Sequence, residues 1–307
     1  RVIKPKCILV IGGPEADNTL DADYIIYGEG EQALYELIKN QSVKLVKPLK
    51  NLDDIPTPYT KERIIKSKNK LIYYESSRGC PFSCSYCMAG SEKGVRYFSL
   101  ERVKSDLVNI VTNGAKIIKF TDRTFNANTP RTNAIINFIN QTFKDKDVCF
   151  HFEVGGDLFA ESTLKILSIL PQGLVQMEAG VQTLNQETLR LVNRVFNKDK
   201  FIQNIKRILS YNNIHLHLDL IAGLPKETLE TFKKSFNEVF ALRPHMLQLG
   251  FLKFLKGTPI RENYQASFCK KPPYEIISSP DMTNENLHEL KQIEFVVDRL
   301  YNKGKFY

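Results

Sequence analysis

Cys80, Cys84 and Cys87 fall within eight residues of one another, in the order C-PFS-C-SY-C. Thiolates are soft ligands that favour iron–sulfur clusters, zinc or copper(I). A structural zinc normally takes four ligands, and neither a paired C-x-x-C nor a nearby His supplies a fourth. Three cysteines in one tight loop can instead hold three corners of a [4Fe–4S] cluster and leave the fourth iron open. Arg78-Gly79 before the loop and Pro81 within it suit a chain that wraps around such a cluster. The bland alternative is three ordinary loop thiols. Cys7, Cys149 and Cys269 are isolated and read as reduced, inert thiols. A disulfide scaffold does not suit 307 residues without a charged-then-apolar leader, whereas a reducing cytoplasm does.

The elements that must position these thiols alternate from Leu71 onward. Apolar strand candidates cover 71–77, 116–122, 148–154, 174–180, 215–223 and 246–254, and segments with a 3.6-residue period lie between them. One of these, LERVKSDLVNIVTNG, has a good N-cap at Ser99 and a good C-cap at Asn113-Gly114. Six β-α units in a row predict an α/β fold with a six-stranded partial (β/α)6 barrel. Chemistry in such barrels sits at the C-terminal ends of the strands, and the cysteine loop directly follows the first. The expected organisation is a partial doubly wound, flavodoxin-like segment over 1–40, a Pro- and Lys-bearing linker over 41–70, the barrel over 71–260 and a helical extension over 261–307.

The cysteine loop resembles that of the radical S-adenosylmethionine (SAM) superfamily, whose motif is C-x3-C-x2-C with an aromatic residue before the last Cys, here Tyr86. The resemblance runs from Tyr74 to Pro259. It implies a [4Fe–4S] cluster on Cys80, Cys84 and Cys87, with SAM chelated at the open iron and cleaved by an electron from the cluster. It also implies a SAM contact at each later strand end. TDRTFN (121–126) resembles a loop that meets the methionine amino group through backbone oxygens, and Asp122, Phe125 and Asn126 match its D-x-x-F-N pattern. Glu153 resembles a carboxylate that contacts the ribose. EAGVQTLNQETLRLVNR (178–194) resembles a segment of anaerobic coproporphyrinogen oxidases, which implies Gln182 on the ribose and Arg194 on the methionine carboxylate. A guanidinium fork suits a carboxylate because it offers two parallel donors. DLIAGLPKET (219–228) implies Asp219 near the ribose and Gly223 where backbone comes close. LQLGFLKFLKGTP (247–259) resembles the strand whose backbone reads the adenine edge. His215 and His217 alternate on the fifth strand and share a face with Asp219. Packed or hydrogen-bonded imidazoles are their default reading, and the alternative points one of them into the barrel at substrate.

IGGPEA…ADYIIYGEGEQALYEL, early in the chain, resembles the C-terminal half of the cobalamin-binding domain that precedes many barrels of this superfamily. Gly12, Gly13 and Gly28 permit loops at strand ends, where a ligand lies in a doubly wound sheet. Glu29 and Glu31 suit a helix N-terminus. The upstream strands and any D-x-H-x-x-G motif are absent. The chain opens at Arg1, in mid-fold, so a longer gene product is expected, with a degenerate domain as the alternative, and cobalamin is a cofactor expected only of that longer form.

Composition bounds the function classes. Hydrophobic residues make up 42% and charged residues 25%, and no apolar run approaches a membrane span. The net charge of +9 is scattered, densest over Lys61–Lys70, and does not alternate with aromatics. A solvated basic surface is therefore expected ahead of a nucleic-acid partner. The expected activity is that of a radical SAM oxidoreductase or transferase fed by an external electron donor such as flavodoxin or ferredoxin. It proceeds by hydrogen-atom abstraction or radical methyl transfer and is cobalamin-dependent in the longer form. A coproporphyrinogen-oxidase-like or RNA-modifying enzyme is the alternative within the superfamily. A non-enzymatic iron–sulfur or electron-transfer protein is the alternative of another class.

Overall fold

The computed structural model describes residues 7–40, 48–67, 70–91 and 94–304, and the chain divides into two units, 1–56 and 57–307. Residues 41–47 and 68–69 of the expected linker, and the last three of the expected extension, lie outside the described residues. In the first unit β1 (Val10–Gly12) and β2 (Tyr24–Ile26) pair in parallel, and α1 (Gly30–Asn40) follows. Ile26, Ala33 and Leu37 bury its apolar side. Glu31 lies in the first turn of α1, as its position predicts. The Glu29 carboxylate accepts from Leu49 N at 3.3 Å.

The second unit opens with α2 (Lys61–Lys66), capped by Thr60, so part of the expected linker is helical. After it come β3 (Leu71–Tyr74), a hairpin of β4 (Ser77–Cys80) and β5 (Gly94–Tyr97), and α3 (Leu100–Thr112). The alternation continues through β6 (Ile117–Phe120), α4 (Thr129–Phe143), β7 (Cys149–Val154) and α5 (Glu161–Leu167). Next are β8 (Val175–Gln182), α6 (Gln186–Leu191), α7 (Lys198–Ser210) and β9 (His215–Ala222). Then follow α8 (Leu229–Phe240), β10 (Met246–Phe251) and α9 (Pro259–Asn263). The chain ends in β11 (Ser267–Phe268), β12 (Ile276–Ser278) and α10 (Asn284–Val296), so the extension carries an antiparallel strand pair as well as helix.

Six strands form one parallel sheet in the order β10-β9-β8-β7-β6-β3, the α/β architecture expected from the alternation. Every crossover carries a helix, as parallel strands require. Local signals set the helix ends. Ser99 Oγ accepts from Arg102 N at 3.1 Å to start α3, and Val103, Leu107 and Ile110 supply its fully buried stripe. On the strands, parity separates two faces. Leu216, Leu218, Leu220 and Ala222 of β9 are fully buried, whereas His215, His217 and Asp219 between them are not. β8 repeats the pattern, with Val175, Met177, Ala179 and Val181 buried and Gln176, Glu178, Gly180 and Gln182 between. The apolar set packs against helices, and the polar set lines the lumen.

The free edge of β10 is managed by the C-terminal segment. The Asn302 side chain donates to Leu247 O at 3.0 Å and accepts from Leu247 N at 2.9 Å, standing in for a neighbouring strand.

Asp122, just past β6, is 1% exposed and accepts from Ser76 N at 2.9 Å, from Ser76 Oγ at 2.7 Å and from Ser77 Oγ. Both side-chain oxygens are thus committed to the turn that launches the cysteine hairpin, and the contact that the resemblance implies for this loop is through backbone oxygens, not this carboxylate. Burial raises the Asp122 carboxyl above its usual range, while the serine donors hold it down. Asp122→Ala strands three buried donors and is expected to cost about 2–4 kcal/mol, read as a lower urea midpoint; an unchanged midpoint would remove Asp122 from the frame.

Candidate active site

The cysteine loop is the tip of the β4–β5 hairpin. Gly79 has φ +96° and packs so tightly on the Gly94 carbonyl that any Cβ there would overlap it. Cys80 ends β4, and Cys84 and Cys87 close a turn in which Cys87 N donates to Cys84 O at 3.0 Å. Ser85 N donates to Val192 O at 2.9 Å, Ile260 N donates to Ser85 O at 3.0 Å, and Asn193 donates to Ser83 O at 3.1 Å. The loop is thus tied to the turn after α6 and to α9. Cys84 is buried, Cys80 and Cys87 are half-buried, and burial pushes the Cys87 thiol up.

Below the loop lies a cavity of about 150 Å³ lined by Phe82, Arg123, Thr124, Glu153, Glu178, Gln182, Arg194 and Asp219, among others. Four of the residues expected to contact SAM therefore converge here. Parity brings Glu153, Gln182 and Asp219 to the lumen, and the turn after α6 brings Arg194. Gln182 needs more than parity. The β8–β9 register shifts between Gly180 and Gln182, and Gln182 has φ +69°. This bulge folds the Gln182 amide back over Gly180, where a Cβ would lie 2.1 Å from its Nε2.

Arg194 bridges the loop and the sheet. Its Nη2 donates to Gly180 O, and its Nη1 lies 3.9 Å from Cys84 Sγ and 3.5 Å from Tyr86 Oη. Among the described residues, Arg194 Nε, Gln182 Oε1 and Asp219 Oδ1 are buried without a protein hydrogen-bond partner. One orphaned donor and two orphaned acceptors on one cavity fit a ligand that offers both, as a carboxylate and a hydroxylated sugar do.

Gly223 resolves differently. Gly223 does not line the cavity; its φ is +88°, and a Cβ there would strike Ile276 of β12. Its close approach is to the C-terminal hairpin. Phe125 and Asn126, like Asp122, hold their loop through their side chains. Phe125 stacks on Phe152 at 4.1 Å, and the Asn126 amide exchanges 2.8 Å hydrogen bonds with Gly155 N and O. From that segment Arg123 and Thr124 face the cavity.

Sequence reasoning missed Glu178, although it shares strand parity with Gln182. Glu178 sits 3.0 Å from Lys119 Nζ and 3.2 Å from His151 Nε2, and these two neighbours pull its carboxyl down to about 2. Glu153 is pushed up by burial and by the Glu178 charge. Asp219 is pushed up to about 7 by burial and by the Glu178 and Glu153 charges. Glu227, also missed, is fully buried, and its Oε1 accepts from Thr183 Oγ1 next to Gln182. Both His215 and His217 lie on the lumen side; burial and the His215 and His151 rings lower His217 to about 4, leaving it a neutral imidazole.

The radical SAM superfamily model matches residues 74–239, more than half of the chain. The chain belongs to the radical SAM superfamily, whose members are enzymes that use a [4Fe–4S] cluster and SAM. A second model, for a protein of unknown function (DUF4080), matches residues 262–307. An uncharacterized methyltransferase of Pyrococcus horikoshii is 25% identical over 84% of this chain and 62% of its own length. The tRNA-2-methylthio-N(6)-dimethylallyladenosine synthase of Buchnera aphidicola is 24% identical, covering 84% of this chain and 63% of the relative. The chain thus spans under two thirds of these relatives. Among solved structures, the cobalamin-dependent SAM radical enzyme OxsB superposes with a TM-score of 0.63 at 17% identity, over 89% of this chain and 50% of its own. The radical SAM methyltransferase TsrM of Kitasatospora setae gives 0.56 at 16% identity, over 65% and 37%. At these identities the structures share the fold.

Two outcomes follow. Gly180→Ala displaces the Gln182 amide and is expected to weaken SAM binding in calorimetry while iron content stays constant; unchanged affinity would detach Gln182 from the ligand. Glu227 has a folded value of about 8 against an ordinary 4.5. The folded state therefore holds a proton that the unfolded chain has lost, and stability declines as pH rises between those values. Glu227→Gln cannot ionise, so its melting temperature should exceed that of wild type at pH 9 and converge with it near pH 5. Parallel curves would refute the shift.

Proposed function

We infer that this chain carries the catalytic core of a radical SAM enzyme. In this reading Cys80, Cys84 and Cys87 bind three irons of a [4Fe–4S] cluster, and Glu153, Gln182, Arg194 and Asp219 hold SAM beneath it. The observation that carries it is the set of three partnerless buried atoms on one cavity, Arg194 Nε, Gln182 Oε1 and Asp219 Oδ1, beneath the thiol loop. When bound, the cluster and SAM supply one-electron cleavage of a C–S bond and hydrogen-atom abstraction.

The chain's own groups bind and orient. Arg194 takes the methionine carboxylate with the donor that Gly180 leaves free. Asp219, Glu153 and Gln182 fix the ribose hydroxyls, and the half-enclosed lumen limits water around the reacting atoms. An electron-transfer protein needs no such polar cradle, which favours the enzyme reading. An external one-electron donor such as flavodoxin or ferredoxin completes it, in the reducing cytoplasm that the cysteine usage suits. The methyltransferase and thiotransferase relatives favour radical group transfer, on a substrate reached through the lumen. Cobalamin dependence is a finer reading, supported by the GGPEA and GEGE segments and the parallel β1–β2 pair.

Anaerobic reconstitution should give four irons per chain and a broad absorbance near roughly 400 nm, and Cys84→Ala should abolish both. Tightly bound zinc without iron would overturn the assignment. With dithionite and SAM the loaded protein should release 5′-deoxyadenosine. Arg194→Ala should weaken SAM binding about 10- to 150-fold with the cluster intact, since a charge-assisted pair contributes about 1.5–3 kcal/mol. Unchanged affinity would remove Arg194 from the site.

A further inference from the structure

The lumen holds a second group of ligating side chains, deeper than the cysteine loop and on three adjacent strands. Parallel register sets His217 of β9 opposite Glu178 of β8, and His151 of β7 opposite both Lys119 of β6 and Gln176 of β8. Lumen parity then turns His151, Glu178 and His217 toward one point. One ring nitrogen of each histidine and a Glu178 carboxylate oxygen all lie within 4.8 Å of one another. His151 is 8% exposed, and its buried Nε2 faces the Glu178 carboxylate at 3.2 Å with no other partner.

We propose that His151, Glu178 and His217 form a site for one divalent transition-metal ion of the zinc or iron(II) kind, separate from the cysteine cluster. Two imidazoles and a carboxylate suit such borderline ions, which bind nitrogen and oxygen at about 2.0–2.2 Å. Tetrahedral ligands at that distance stand roughly 3.4 Å apart, so the three atoms must close by little more than an ångström. A supporting contact steadies one ring: with its proton on Nε2, His217 donates to His215 Nδ1 at 2.9 Å and keeps Nδ1 for the ion, while the Gln176 amide, 2.8 Å from Nε2, turns its oxygen to that proton. Lys119 opposes the ion. Its ammonium pairs with Glu178 at 3.0 Å and has a second carboxylate, Glu153, at 3.8 Å to which it can turn. Metal and lysine therefore compete for Glu178. Three protein ligands leave a fourth position of a tetrahedral ion for a carbonyl, phosphate or water oxygen of a substrate, and Glu178 also lines the SAM-side cavity.

The proposal goes beyond the cluster and SAM reading, and iron and zinc contents report on the two separately. The cluster-loaded chain is equilibrated anaerobically with zinc, desalted and analysed for both metals. One zinc per chain beside four irons is expected. His151→Ala and His217→Ala should lose the zinc and keep the iron, and His215→Ala should weaken zinc binding about 10- to 100-fold as an outer support. Lys119→Met, which keeps the stem and removes the competing charge, should tighten zinc binding, a gain that misfolding cannot mimic. In a chain with all three loop cysteines changed to Ser, cobalt(II) should give visible bands without sulfur charge transfer. No retained zinc in the wild-type chain, zinc retained by the His151→Ala/His217→Ala double variant, or weaker zinc binding by Lys119→Met would each overturn the site.

Discussion

Everything in the barrel unit depends on keeping strand parity in parallel register. The outward residues of β7, β8 and β9 are almost all apolar and fully buried, so a slip of one residue would drive Leu216, Leu218 and Leu220 into the lumen and His215, His217 and Asp219 into the helix layer. Burying those polar groups against helices without partners would cost several kcal/mol. The same hydrophobic requirement that assembles the sheet therefore sets which side chains meet inside it. Complete barrels fill the interior with layers of branched apolar residues. Here, an open six-stranded sheet leaves it to Lys119, His151, Glu153, Gln176, Glu178 and Asp219.

A polar lumen of this kind must balance its charges. Glu178 does so at the centre. Lys119 and His151 hold it ionised, and its negative charge in turn raises Glu153 and Asp219 above it. Neighbouring carboxyls are thereby driven to different protonation states by position alone, the arrangement from which acid and base roles are built. Arg194 makes the other balance, placing a guanidinium between the Gly180 carbonyl and the Cys84 thiol. The side chains that face a ligand are thus held by partners on one side and left unsatisfied on the other, which is what preorganisation means in atoms.

The loops that carry the chemistry are held by residues that never face it. Asp122 commits its carboxylate to Ser76 and Ser77, Phe125 stacks on Phe152, and the Asn126 amide pairs with the Gly155 backbone. A recurring sequence pattern at a strand end can mark the anchors of a loop as readily as its contacts. The same holds for Gly223, whose positive φ and lack of a Cβ admit Ile276.

Much was legible in the sequence because its signals are local. Cysteine spacing, Ser99 and Gly114 at the ends of α3, and the alternation of six apolar runs are each written within a few residues, and so the fold class and the thiol loop follow from them. Gln182, Arg194, Glu153 and Asp219 could be ordered along strand ends, but their convergence could not be read there. Convergence rests on the register between strands tens of residues apart and on the bulge after Gly180, both outcomes of packing. Only the tertiary structure could separate Asp122 and Gly223 from the cavity, since burial among distant serines or against Ile276 has no local trace. It alone set Glu178 between Lys119, His151 and His217, because side-chain chemistry is local whereas the field each side chain feels is not.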